Sequence, residues 1–211
     1  MQITQMVVGP LGSNAYLLRD DEAPDGAVVD PGGDGDQIAA RCRAEGLEPR
    51  LIIDTHGHMD HIQANEQLKA AFPQAQLCIG EGDAPMLTNG VKNLSILMGT
   101  SFRSPEADLL LADGQVLEFG GCRLEVLETP GHTPGSICLL AAGESPSQVF
   151  CGDLVFAGGV GRVDFPGGNM NDLLSSIRSR ILTLPDETVL WPGHGPSTTV
   201  GRERRQNPFL Q

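Results

Sequence analysis

The sequence predicts a layered α/β fold, and three observations support that prediction. Leu51-Ile52-Ile53, a helical stretch from Ile62 to Phe72 and the run Leu77 to Ile79 make one strand–helix–strand unit. Val116 to Phe119 and Arg123 to Leu127 flank Gly120-Gly121 and read as a hairpin. Strand-like and helix-like runs alternate throughout, with no low-complexity stretch or long linker between them. At 211 residues, the chain is expected to form one domain over 1–211.

The elements follow in order. Residues 2–8 alternate weakly between apolar and polar. Asn14 to Leu18 and Ala27 to Val29 are short apolar runs, the second closed by the turn Asp30-Pro31-Gly32-Gly33. Asp36 is expected to open a helix that Gly46 ends. In the next helix Ile62, Leu68 and Phe72 share one side, and Pro73 stops it. Residues 88–106 are punctuated by Gly and Ser and fit either a helical excursion or a flap near the site. Ile137 to Leu140 and Val149 to Cys151 read as buried strands. Asn171 or Asp172 is expected to cap a helix whose stripe is Leu173, Leu174, Ile177 and Ile181. Val189-Leu190-Trp191 leads into a final PGHG turn. Trp191 and the six methionines are expected in the core.

Composition excludes several function classes. The net charge is −13. Nucleic acid or an anionic membrane surface requires clustered Lys and Arg, so neither is an expected partner. The five cysteines are odd in number, form no C-x-x-C pair and sit mostly in apolar runs. Buried, reduced thiols of a cytoplasmic protein are the expectation. The N-terminus MQITQMVVGP has neither the basic segment nor the apolar segment of a signal peptide.

The chemistry concentrates in the histidines. There are five: His56, His58, His61, His132 and His194. Each follows an apolar strand-like run and all but His61 stand beside Gly, as ligands carried by loops at strand ends do. Three of them lie with Asp60 in H-x-H-x-D-H. In extended chain, residues two apart project to the same side, so His56 and His58 can converge on one cation. Asp60 and His61, from the turn into the following helix, can reach a second. Imidazole suits Zn, Fe or Ni, and carboxylate adds hard oxygen and negative charge. Two neighbouring cations need an anion between them, a role Asp153 can fill. Two dications sharing a hydroxide make a strong nucleophile at neutral pH. No Ser-His-Asp pattern appears once every histidine is so assigned.

At these residues the chain resembles the metallo-β-lactamase superfamily. The matching motifs are THGHMDH at 55–61, GHTPGS at 131–136, GDLVF at 152–156 and PGHG at 192–195. The resemblance implies a four-layer αββα sandwich with two divalent metal ions, zinc first and iron or manganese next, at one edge of its sheets. It implies that His56, His58 and His132 hold one metal, that Asp60, His61 and His194 hold the other, and that Asp153 bridges. It gives Asp60 the further catalytic task of orienting the attacking hydroxide.

Within the superfamily, Asp153 argues against the zinc β-lactamases, many of which carry Cys or His there. GGVGRVDFPGG at 158–168 and the ending PGHGPSTTVGRERRQNPF are similar to short bacterial glyoxalase II-like hydrolases. This implies cleavage of a small-molecule thioester, with an acyl-glutathione such as S-lactoylglutathione as the first candidate. The longer hydroxyacylglutathione hydrolases carry a C-terminal helical domain that grips glutathione, and none is expected here. The alternative is a persulfide dioxygenase with one iron. In that family an acidic and an aromatic residue follow the last histidine, whereas Gly195-Pro196 follow His194.

Other candidates are fewer. Arg162, in the Gly-rich stretch after Asp153, can clamp a substrate carboxylate with its planar fork or pair with Asp164. Gly158, Gly159 and Gly161 permit close backbone approach or tight turns. Asp30 or Asp54 can hydrogen-bond a ligand imidazole.

Overall fold

The computed structural model describes residues 1–211. Its strands are β1 (Gln2–Val8), β2 (Ser13–Arg19), β3 (Asp25–Val29), β4 (Glu48–Asp54), β5 (Gln76–Gly80), β6 (Leu109–Leu111), β7 (Val116–Phe119), β8 (Cys122–Glu128), β9 (Ile137–Ala141), β10 (Gln148–Gly152), β11 (Val155–Phe156), β12 (Gly159–Val160), β13 (Val189–Pro192) and β14 (Thr198–Thr199). Its helices are α1 (Gly35–Ala44), α2 (Met59–Ile62), α3 (Asn65–Ala71), α4 (Ala84–Leu87), α5 (Met170–Ser176) and α6 (Val200–Gln206). One sheet runs β1-β2-β3-β4-β5-β6, antiparallel at its start and parallel from β3 onward. The other runs β14-β13-β10-β9-β8-β7, with only the β10–β13 pair parallel.

Alternation along the strands sorts side chains into three apolar layers. Leu18, Val29 and Ile53 of the first sheet meet Leu124, Val126, Leu139 and Phe150 of the second in the central layer. Their neighbours Leu17, Val28 and Ile52 point the other way, against Ile38 and Cys42 of α1 and Leu68 of α3. On the far side Cys138, Leu140 and Leu190 pack on Leu173 of α5, on Ile177 and Ile181 beyond it, and on Val200 of α6. The result is the αββα sandwich. All five cysteines are buried within it. No helix is long and apolar enough to cross a membrane.

Several boundaries differ from the sequence expectations. Helix α1 starts at Gly35, one residue early, after Asp34 in the left-handed region at φ 52. Gly46 ends it as expected: at φ 67 it lets its own N–H reach Arg43 O and lets Leu47 N–H reach Cys42 O. The expected helix over 62–72 is two helices. Ala64 N donates to Pro31 O, which leaves the backbone ladder and breaks the run between Ile62 and Asn65. The cap of α5 is Asn169, whose Oδ1 accepts from Asn171 N and Asp172 N. Both residues expected as caps therefore lie inside the first turn. Four elements had no sequence expectation: α4, β6, the β11–β12 hairpin and the β14–α6 ending. Residues 88–106 form turns and a short 3₁₀ segment, Ser95–Met98. Met98 and Met170 are exposed rather than in the core.

Candidate metal centre

The strands deliver the histidines to one edge. His56 follows β4, His58 stands in extended conformation before α2, and Asp60 and His61 lie in α2. His132 lies between β8 and β9, Asp153 follows β10 and His194 follows β13. The parallel β10–β13 pair explains why Asp153 and His194 emerge on the same side.

All seven residues meet. Their ligand atoms fall into three overlapping groups, each within 4.8 Å: His56, His58 and His132; His56, His61 and Asp153; and Asp60, His61 and His194. His58 Nδ1 faces His132 Nε2 at 2.9 Å. Asp153 spans the groups, with Oδ1 3.6 Å from His61 Nε2 and Oδ2 3.7 Å from His132 Nε2 and 3.8 Å from His194 Nε2. Asp60 Oδ2 lies 3.2 Å from His194 Nε2 and 3.6 Å from His61 Nε2.

The cluster passes a test for cation binding. His56 Nε2, His61 Nε2 and Asp153 Oδ1 are buried without a hydrogen-bond partner. Buried polar atoms are rarely left unpaired, and these three belong to the one ligand group that joins His56, His61 and Asp153. Nitrogen and carboxylate donors in this number suit divalent metals.

Neighbours fix the rings. Asp30 Oδ2 holds His61 Nδ1 at 3.1 Å, and both Asp30 oxygens bind Thr55. The backbone carbonyl of Arg162 accepts from His132 Nδ1 at 2.7 Å. Each bond leaves Nε2 for the centre. Asp54, the other carboxylate proposed for this task, bonds Asn65 Nδ2 instead. Asn14 and Tyr16 were not anticipated. Asn14 Nδ2 donates to Pro192 O and Gly195 O, and Tyr16 Oη donates to Pro192 O, which anchors the His194 turn.

Asp83 was also missed. Its carboxylate accepts from Gly57 N, Thr133 Oγ1 and Gly135 N, joining the two loops that carry His56, His58 and His132. Its only sequence signal is a carboxylate just past a strand end, which many turns share. Two glycines matter by proximity. A Cβ on Gly161 would come within 1.8 Å of Asp153 O, and one on Gly193 within 2.3 Å of Asp153 Oδ1.

Electrostatics divide the ligands. Burial, with His61, His132 and His58 nearby, drives His56 well below the usual histidine range. Burial and the neighbouring His132 and His61 push His58 down to about 3. Burial opposes charge on His61 too, but Asp60, Asp153 and Asp30 overcome it and hold the ring up to about 10. His194 is raised by its hydrogen bond to Asp60. Asp60 resists desolvation and stays below the carboxylate range because His61 and His194 flank it. Burial raises Asp83 against its three hydrogen bonds.

A cavity of about 530 Å³ opens over Asp60, His132, Asp153 and His194. Arg162 lines it, as do Phe156 and Val160 of the β11–β12 hairpin. The guanidinium fork of Arg162 is filled by Asp164: Nε and Nη2 each donate at 2.7 Å. Its plane lies 3.9 Å over the Phe165 ring. Glu203 of α6 accepts from Gly158 N, and Asn207 Nδ2 donates to Gly159 O, so the C-terminal segment holds that hairpin. Asn93, Leu94, Leu97 and Met98 of the segment 88–106 also line the cavity, and Met59 N–H is bound to Asn93 O.

Comparison with known proteins agrees with the geometry. Residues 8–194 match the model of the metallo-beta-lactamase superfamily. A probable metallo-hydrolase YqgX of Bacillus subtilis is 38% identical over all of this chain and 98% of its own. The hydroxyacylglutathione hydrolase GloC of Haemophilus influenzae is 36% identical, again over 100% of this chain and 98% of its own. Among solved structures, the BLEG-1 B3 metallo-beta-lactamase superposes with TM-score 0.94 at 35% identity, covering 100% of both chains. TTHA1623, in a di-iron-bound form, gives 0.86 at 36% identity, covering 98% of this chain and 100% of that one. ETHE1 from Myxococcus xanthus gives 0.81 at 28% identity, covering 99% of this chain and 84% of that one. The chain belongs to the metallo-beta-lactamase superfamily and is a metal-dependent hydrolase.

Proposed function

We propose that the chain is a two-metal thioesterase acting on a small thioester, with acyl-glutathiones as the first class to test. The observation that carries this reading is Asp153, whose carboxylate lies within 3.8 Å of both histidine sets, Oδ1 by His61 and Oδ2 by His132 and His194. His56, His58 and His132 would hold one divalent cation, and Asp60, His61 and His194 the other, with Asp153 shared. Zinc is the first choice and iron or manganese the next; TTHA1623 has been captured with two irons. The likeness to GloC, named for hydroxyacylglutathione hydrolysis, supports the thioester bond as the target.

The cavity lining contains no serine, cysteine or lysine, and its aspartates and histidines are the candidate metal ligands, which favours water as the attacking group. When bound, two divalent cations lower the pKa of water and offset charge developing on the carbonyl oxygen and the departing sulfur. The chain's own part is to hold and orient. Asp60 stays ionised and can accept a hydrogen bond from the attacking water. Asp30 and the Arg162 carbonyl keep His61 and His132 from rotating. The three apolar layers support reading 1–211 as one domain behind this edge.

The test pairs metal analysis with an activity panel. About two metals per chain and oxygen-independent, chelator-sensitive hydrolysis of S-lactoylglutathione are expected. One iron per chain with oxygen uptake on glutathione persulfide, and no thioester turnover, would reassign the chain to persulfide oxidation. Cleavage of a β-lactam alone would reassign it to that substrate.

A further inference from the structure

Beside the metal ligands, ten residues line the cavity, and eight of them are apolar. The two polar ones are already engaged. Asn93 is fully buried, its Nδ2 donating to Phe102 O and its Oδ1 accepting from Ser95 N. Arg162 is the one cation in the lining, and Asp164 fills its fork. The walls therefore offer a substrate little beyond apolar contact. Much of that surface faces water: Leu97 is 67% exposed, Met98 54% and Leu11 50%. Large apolar side chains grouped at the mouth of a site of this volume suit burial by a ligand.

Resting on the thioesterase reading above, we infer that the substrate is a thioester of an apolar acyl group, aliphatic or aromatic, seated against Leu97, Met98, Phe156 and Phe165. The thiol half contributes little to recognition. Carrier thiols that form thioesters in water are polar and commonly anionic, and a chain of net charge −13 with its lining arginine already paired attracts them weakly. The acyl half is the part with apolar surface to bury. Phe156 and Phe165, the latter with one ring face covered by Arg162, line the cavity together with Leu97 and Met98, so the acyl group meets apolar side chains from both the 153–165 and the 88–106 segments.

The experiment uses the purified, metal-loaded chain. Acetyl, butanoyl, hexanoyl and benzoyl thioesters are compared on two thiols, glutathione and the neutral N-acetylcysteamine. Each added methylene is expected to raise kcat/KM by about fourfold until the wall is filled, equivalent to about 0.8 kcal/mol. The two thiols should differ little at a given acyl group. Leu97→Gln should cost the hexanoyl substrate more than the acetyl one. A readout independent of turnover is product binding, where hexanoate should raise Tm more than acetate does. Rates flat or falling with chain length while acetyl thioesters are cleaved would overturn the acyl inference and leave the thioesterase reading standing. A metal-loaded chain that cleaves no thioester would overturn both.

Discussion

Thr133 and Asp83 are fifty residues apart in sequence, yet the threonine hydroxyl donates to the buried carboxylate at 2.6 Å. The same carboxylate takes the N–H groups of Gly57 and Gly135. One side chain thus sets the distance between the loop of His56 and His58 and the loop of His132. Asp83→Ala would strand three donors, the two N–H groups and the hydroxyl. Each buried unpaired group costs about 1–3 kcal/mol, so a net loss of about 2–4 kcal/mol is expected after water enters. In a chain of this size that corresponds to a Tm drop of roughly 4–16 °C. Thermal unfolding checks it, and metal analysis should show weakened retention at the three-histidine group. Unchanged Tm and metal content would make Asp83 a bystander.

Asp153 and His194 should behave differently when removed. Asp153 faces both ligand groups, whereas His194 reaches only the group that contains Asp60. Asp153→Ala should lower the affinity of both metal positions together. His194→Ala should spare the His56–His58–His132 position and leave about one tightly held metal per chain. Competition against graded chelators, read by elemental analysis, separates the two patterns. Gly193→Ala should resemble Asp153→Ala, because its Cβ would press on Asp153 Oδ1.

H-x-H-x-D-H was legible as a candidate metal motif from its local spacing, whereas His132, Asp153 and His194 stood out only together with it and through the family resemblance. Strands showed through where apolar runs are buried on both faces, as in Ile52-Ile53. Asp83 was not legible, since its work lies in contacts with residues 26 and 50 positions away. The break at Ala64 was hidden for the same reason: a carbonyl from Pro31 competes with the helix ladder. Strand β6 is short and leaves Leu110 exposed, so its pattern is weak. Helix α6 carries only a brief apolar signal, and its buried Glu203 reads as a surface residue until its partners Thr198, Gly158 and Asn207 are known.

Metal uptake should release protons, with a sign set by His61. Burial disfavours its charge, but Asp60, Asp153 and Asp30 hold its pKa up to about 10, so metal-free protein carries a proton there at neutral pH. His194 is raised as well, while His56 and His58 are lowered and already neutral. A metal must displace the His61 proton, so affinity should climb with pH and level off near 10. At pH 7, roughly one proton from His61 and a further share from His194 should appear per metal pair. Calorimetry of chelator-stripped protein, run in buffers of different ionisation enthalpy, counts them. Release that is nil at pH 7 would mean that the aspartates do not hold the proton.

Arg162 already has a carboxylate partner in the free protein. Its fork sits on Asp164, and the hydrogen bond and charge of the arginine hold that carboxylate down to about 2. Both groups therefore stay charged at any working pH, and a substrate carboxylate would have to displace Asp164 to gain the fork. Arg162→Ala should then change KM for glutathione and neutral thioesters alike. Asp164→Ala should do something different. It leaves a free planar cation at the cavity wall, which can take a carboxylate in two parallel hydrogen bonds. Glutathione thioesters should bind this variant more tightly, by a margin that shrinks with added salt, and neutral thioesters should not. Steady-state kinetics of both variants on matched acyl groups gives the answer. A KM rise confined to glutathione thioesters in Arg162→Ala, with no gain in Asp164→Ala, would mean that the guanidinium leaves Asp164 when substrate arrives. Arg162 would then be the clamp that its place after Asp153 first suggested.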